Sequence, residues 1–273
     1  DEGCNQKCDA PGESIMKEFH IYGLCTDLIK PGDLLLNHLK AAMNRQGLEI
    51  QEHDIIVLAE SAVATAQGRI ASLKTIKPSG RALQLSRQYE MDPALAEVVI
   101  QESDEIIGGI NGFLLSVKSG HLLPNAGVDG SNAPDGYVTL LPEDPGALAH
   151  ALRKKIFEEA GCFVGVLIID SRTHPMRYGC GGVAIACSGI PSVIDERGRK
   201  DLYGRELMVT RRAVADNIAS AAELVMGESD ERIPAVLVRG LDIEFGEFEG
   251  IELIRPDECL FIGSLKRAYV SPY

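Results

Sequence analysis

The sequence predicts an α+β fold of mixed α/β layers, on three observations. Short runs rich in β-branched residues are bounded by turn residues, as strands are. Longer stretches with helical spacing, marked by start and stop residues, lie between them. The two kinds do not alternate with the steady βαβ period of a doubly wound sheet or barrel.

Taken in order, residues 1–15 (DEGCNQKCDAPGESI) are polar and carry Gly and Pro. They read as a disordered tail or a remnant added for expression, with the folded part starting near Met16. Residues 34–46 form an amphipathic helix stopped by Gly47. DIIVLA (54–59) reads as a strand. Asp92 followed by Pro93 is an N-cap with proline at the first helical position, opening a helix to about Ser103. FLLSV (113–117) is the next strand, and the Gly-rich stretch 120–136 hints at a boundary. Asp144 and Pro145 repeat the helix start, and Gly161 stops the helix over 147–160. FVGVLIID (163–170) and GVAIA (182–186) are strands. A long helix is expected from Arg211 to Met226, with Val214, Ile218, Ala221, Ala222 and Val225 on one buried stripe and Gly227 at its end. AVLV (235–238) closes the series.

The chain has 273 residues, enough for a sizeable core. Trp is absent and aromatics are 5%, so that core is aliphatic. The formal net charge of -13 makes nucleic acid a poor partner, because phosphate-backbone binding needs clustered cations. An anionic small substrate would then need local Arg and Lys or bound metal ions. Seven scattered Cys, an odd number without framework spacing, fit a reduced, cytoplasmic setting. No apolar stretch is long enough to span a membrane.

Several familiar sites are missing. There is no G-x4-G-K-[ST], no H-E-x-x-H and no G-x-S-x-G, and the six His are dispersed. What remains are carboxylates. Asp170 ends the hydrophobic run VGVLIID, where it could meet a hard cation or merely start a turn. Asp129 lies in NAGVDGSN, whose glycines would let backbone N–H groups approach a phosphate, or else form an ordinary polar loop. Glu228 follows the long helix at its C-terminus, an unfavourable end for an anion, which hints at compensation. GRKDLYGREL (198–207) puts Arg199, Lys200 and Arg205 together, as an anion-docking surface or a solvated basic turn.

In combination these residues resemble the coenzyme F420-0:L-glutamate ligase (F420 gamma-glutamyl ligase) family, as a divergent branch of it. The resemblance rests on GLCTDLIKPGD, QGRI, NAGVDGSN, IIDS, GVAI, GRKDLYGREL, VADNIASAAELVMGE and IPAVLVRG in that order. It covers nearly the whole chain from Met16 and thins after about Gly240.

The resemblance implies an intertwined homodimer of the gamma-glutamyl-ligase-type fold. It implies an enzyme that joins L-glutamate to the terminal carboxylate of the deazaflavin F420-0 through an acyl phosphate. Its requirements would be GTP (or ATP) as co-substrate and two Mg2+ or Mn2+, with K+ as a further ion. By position, Asp129 and Asp170 match one metal site, and Ser171 and Glu228 the second. Thr26, Asp27, Leu28, Ile29, Glu60, Ser61, Asn132, Met226, Gly227, Ser229 and Ile233 match nucleotide contacts. Asp129, Asp170 and Arg177 are the catalytic candidates, Arg177 through the acceptor pocket. A nucleotide-binding lobe over 16–105 plus 214–273 and a metal and acceptor lobe over 106–213 are expected.

Glu60 and Ser61 stand where the family pattern has Ser-Thr, Thr65 where it has Lys, and His174 where it often has Arg. A folate- or pterin-type carboxylate is therefore an alternative acceptor. A metal-dependent phosphohydrolase and a non-catalytic nucleotide- or deazaflavin-binding homologue are the alternative functions.

Overall fold

The structure is a computed structural model that describes residues 18–264. The tail expected over 1–15, with Cys4 and Cys8, lies outside the described residues.

In chain order the elements are β1 (His20–Leu24), α1 (Leu35–Arg45), β2 (Ile55–Ala59), α2 (Glu60–Ala66) and β3 (Ile70–Ser72). Next come α3 (Gly80–Tyr89), α4 (Pro93–Glu102), β4 (Glu105–Ile110), β5 (Phe113–Lys118), β6 (His121–Pro124) and β7 (Tyr137–Thr139). They are followed by α5 (Pro145–Ala160), β8 (Gly165–Thr173), β9 (Cys180–Ser188), β10 (Val193–Asp195), β11 (Arg211–Ala213), α6 (Val214–Met226) and β12 (Ala235–Arg239).

The centre is a five-stranded sheet in the order β1-β12-β2-β8-β9. Only the β2–β8 pair runs parallel; the other neighbours are antiparallel. β2 is buried along nearly its whole length, as expected of a strand covered on both faces. Ile56, Leu58, Val166 and Ile168 pack on one face with Leu36 and Leu39 of α1 and Ala149 and Ile156 of α5. Val57, Leu167 and Ile169 pack on the other with Val214, Ile218, Ala219 and Ala222 of α6. The result is a helix–sheet–helix sandwich of aliphatic side chains, in keeping with the lack of Trp. A third core, with Ala82, Val98, Leu114 and Val138, joins α3 and α4 to the small sheet β4-β5-β6 and to β7.

The local signals explain the helix ends. Asp92 accepts from the N–H groups of Ala94 (2.7 Å) and Leu95 (3.0 Å) and caps α4. Asp144 accepts from Ala147 N–H (2.9 Å) and caps α5, which Gly161 ends at φ 71°. Gly47 follows α1 at φ 66°.

One expected boundary moves. Arg211–Ala213 do not open the long helix; they form β11, paired with Val193–Asp195 of β10. Helical spacing begins only at Val214, where apolar side chains meet the sheet, while the preceding Arg211 and Arg212 are exposed. On α6 itself the fully buried stripe is Val214, Ala215, Ile218, Ala219, Ala222 and Met226, with Ala221 and Val225 at its margin.

Candidate active site

Six elements meet at one end of the central sheet. β2 stops at Ala59, opposite Ile169, and β8 runs on past it through Asp170, Ser171 and Arg172. β1 delivers Thr26–Ile29 from its C-terminal end, and the segment before β12 delivers Arg232–Pro234 from the other direction. The Thr26 N–H donates to Arg232 O (3.1 Å), which ties these two segments together. α2 starts at Glu60, and α6 finishes at Met226. A crevice beyond the carboxyl ends of parallel strands is where open α/β sheets place ligands.

The cleft there encloses about 370 Å3. Its walls include Thr26, Asp27, Leu28, Ile29, Glu60, Ser61, Asn132, Met226, Gly227, Ser229 and Ile233, together with Asp129, Ser171 and Glu228. Residues scattered through the sequence from 26 to 233 are thus brought to one cavity. Asp170 lies just behind the wall: its carboxylate interacts electrostatically with Asp129 and Glu60. Arg177 is different. It sits on the exposed turn between β8 and β9, outside the cleft lining.

Asp129 is fixed by its backbone, which exchanges hydrogen bonds with Thr139 at 3.0 and 2.7 Å. Its carboxylate also accepts from Ser131 N–H (3.1 Å) and Ser131 Oγ–H. Alternation along β8 sends Ile168 and Asp170 to the α1/α5 side and Ile169 and Ser171 to the α6 side. The two expected cation sites therefore face opposite sides of one strand.

The glycines of NAGVDGSN divide. Gly127, at φ 72°, is needed for packing, since a Cβ there would meet Leu141 at 2.4 Å. Only Gly130 opens onto free space, so the loop is less of a phosphate nest than its composition suggests.

Electrostatics is the dominant feature. Seven carboxylates line the cleft (Asp27, Glu60, Asp129, Glu223, Glu228, Asp230 and Glu231) against one cation, Arg232. Burial, then repulsion from Asp170 and Asp129, pushes the Glu60 carboxyl up to about 8. Glu223 is raised to about 7 by burial and by its neighbour Glu228. Burial also raises Asp170, against the guanidinium of Arg172, whose Nε stands 3.3 Å from Asp170 Oδ2. The unfavourable charge expected at Glu228 is met by a second carboxylate rather than by a basic side chain.

Sequence reasoning missed Glu223 and Arg172. Glu223 hides in the last turn of an amphipathic helix, where a Glu reads as solvent-facing. Arg172 looks like any charge at a strand end, yet it is buried beside Asp170, with Nη2 left without a partner. The basic run 198–207 resolves into local pairs, Arg205 with Asp201 at 2.9 Å and Arg199 with Glu196. Leu202, Tyr203, Met208 and Val209 around it are exposed.

The donor set is all oxygen, the chemistry that hard divalent cations take. Among the described residues no three His, Cys, Asp or Glu side chains close on a common ion position. A cation that keeps waters and substrate phosphates needs only one or two carboxylates from the protein, so the residues fit such an ion. The raised, mutually repelling carboxyls mark where positive charge is lacking.

An oxygen-lined acidic crevice at a sheet edge suits an enzyme that handles anions through cations. Residues 23–240 match the F420-0:Gamma-glutamyl ligase family, and the chain belongs to it. It is accordingly an enzyme of the ligase class. Among relatives, the coenzyme F420:L-glutamate ligase of Methanopyrus kandleri is 44% identical over 223 residues, covering 81% of this chain and 86% of that protein. The enzyme of the same name from Methanothermobacter thermautotrophicus is 42% identical, over 78% of this chain and 85% of that protein. That from Archaeoglobus fulgidus is 39% identical, over 88% and 93%. No helix among the described residues is long and apolar enough to cross a membrane.

Proposed function

We propose that this chain forms an amide between the α-amine of L-glutamate and the terminal carboxylate of F420-0, consuming GTP or ATP with two divalent cations. The observation that carries the nucleotide and metal requirement is the cleft's charge: even with Glu60 largely protonated near neutrality, the remaining acidic side chains outnumber its one arginine and would repel a triphosphate unless cations came with it. The relatives' names support the glutamate and deazaflavin substrates.

In this reading Asp129 and Asp170 hold one ion, and Ser171 and Glu228 the other. Bound Mg2+ or Mn2+ would neutralise the triphosphate and keep attacking and leaving oxygens in line. The Thr26–Ile29 and Met226–Ile233 segments embrace the nucleotide, and Asn132 reaches it from the Asp129 loop. The acceptor carboxylate attacks the γ-phosphorus, the bond to the β–γ bridging oxygen breaks, GDP or ADP leaves, and the carboxylate becomes an acyl phosphate. The glutamate amine then attacks the acyl carbon, loses a proton and expels phosphate. Arg172 restrains Asp170 from behind.

Thr65 lines the cleft, so the position where the family pattern has Lys faces the nucleotide region with a hydroxyl instead. The lost cation at Thr65 makes this site more dependent on its metal ions. The exposed Leu202, Tyr203, Met208 and Val209 support a homodimer in which this arm is covered, readable as a doubled mass in light scattering.

Mass spectrometry after incubation with GTP or ATP, Mn2+, L-glutamate and F420-0 tests the reaction. A gain of one glutamyl unit, abolished by Asp170→Asn with the melting curve preserved, is expected. Phosphate release without glutamate dependence would instead identify a phosphohydrolase. A gain only on a folate-type acceptor would reassign the substrate.

A further inference from the structure

Glu223 has no role in the reading above, yet three features of its surroundings converge. It projects from the last turn of α6 into the cleft, and Glu228 lies within hydrogen-bonding reach across the turn made by Gly227. The backbone of Gly182, which lines the same cleft, lies close enough to favour the charged form of Glu223. Gly182 is the direct cross-strand partner of Ser171. Glu223, Gly182 and Ser171 therefore line the same part of the cleft, on the α6 side of β8.

This proximity is built into the packing of α6 on β9. A Cβ on Gly182 would stand 2.3 Å from Ala219 O, so only glycine lets the helix come this close. Ser220 Oγ donates to Gly182 O (2.9 Å), which pins the same turn of helix to the same residue. One oxygen of Glu223, Oε1, is buried and has no hydrogen-bond partner. Buried polar atoms are almost always satisfied, and an acceptor left alone beside a second carboxylate calls for a positive partner.

We propose that Glu223 is a direct ligand of the second divalent cation, sharing it with Glu228 and Ser171 and turning a carboxylate–hydroxyl pair into a three-oxygen site. The inference rests on the metal-dependent reading of the cleft. It explains why two carboxylates face each other with no basic side chain between them. It also separates the two ions chemically, one held by Asp129 and Asp170, the other by α6 and the outer face of β8.

The test is Mn2+ binding to the full-length protein without nucleotide, followed by the electron paramagnetic resonance signal of free Mn2+. Wild type should show two classes of site. Glu223→Gln should weaken one class by at least about tenfold, since even outer-sphere substitutions cost 10–100-fold. Asp129→Asn should weaken the other class. In metal-free buffer Glu223→Gln should melt at or above the wild-type temperature, because one of two repelling carboxylates is gone. A Glu223→Gln protein that titrates with Mn2+ like wild type overturns the assignment while leaving the metal-dependent reading intact. A wild type that binds no Mn2+ removes both. If Glu223→Gln melts lower, Glu223→Asp decides: it keeps the charge but withdraws the oxygens. A lost Mn2+ class in that variant supports the ligand role, and a retained one rules it out.

Discussion

Two titratable groups outside the cleft show how much depends on single partners. Asp54 is fully buried and receives both Nε and Nη2 of Arg239 at 2.7 Å, plus the N–H of Gln51 at 2.8 Å. This fork ties the end of β12 to the start of β2 and also anchors Arg239 over Tyr22. Asp54→Ala should cost about 3 kcal/mol in denaturant unfolding, because it leaves a half-buried guanidinium without its anion. Loss of less than ~1 kcal/mol would mean the pair is replaceable by water.

His121 is the second. Burial, and then the charge of Arg172, depress its imidazole from 6.5 to about 4. The folded state thus keeps this ring neutral where the unfolded chain protonates it. Its contribution is intact above pH 6.5 and is lost as pH falls from 6.5 towards 4. His121→Asn should therefore lose less stability than wild type between pH 7 and pH 5. Parallel pH profiles of the two proteins would refute the depressed ring.

At the scale of elements, the α6–β9 contact sets the geometry of the cleft. Gly182→Ala would drive a methyl into the Ala219 carbonyl and push the last turn of α6 outwards. Overpacking of this kind costs about 1–3 kcal/mol. The same displacement should impair Mn2+ binding on the α6 side more than on the Asp129 side, a contrast that metal titration reads directly. Capping is a milder case. Asp144→Ala removes the bond to Ala147 N–H at the start of α5 and should lower stability by about 1 kcal/mol by thermal melting.

For the whole molecule the governing quantity is negative charge, -13 over the chain and concentrated where the substrates must come. GTP should therefore stabilise the protein only in company with Mg2+ or Mn2+. At a hundredfold excess over Kd the gain is about 2.7 kcal/mol, or roughly 5–10 °C in Tm for a chain of this size. The same GTP in chelator should give no shift, and a full shift there would mean that the cleft does not use cations to accept the nucleotide.

By itself the sequence determined the elements whose signals are local. Asp-Pro at 92 and 144 and Gly at 47, 161 and 227 marked helix ends through bonds and dihedrals confined to one turn. β-branched runs marked β2, β8 and β12, because strands covered on both faces must be continuously apolar. The ordered motifs also named the family and most of the cleft's residues.

Less distinct elements were missed. β1, β4, β6 and the helix α2 lack strong caps or long apolar runs and take shape only against their neighbours, while α3 is capped by Ser79, a serine that reads equally well as a turn residue. β11 displaced the predicted helix start, since Arg211–Ala213 pair with β10 and the apolar helical stripe begins only at Val214.

Only the tertiary structure could decide charge environments. That Glu60 is raised, that Arg172 is buried behind Asp170, and that Glu223 meets Glu228 across Gly227 depend on how side chains of separate elements are buried together. Electrostatic interaction depends on distance and solvent, and neither exists until the sheet edge, α2 and α6 have closed around one cleft.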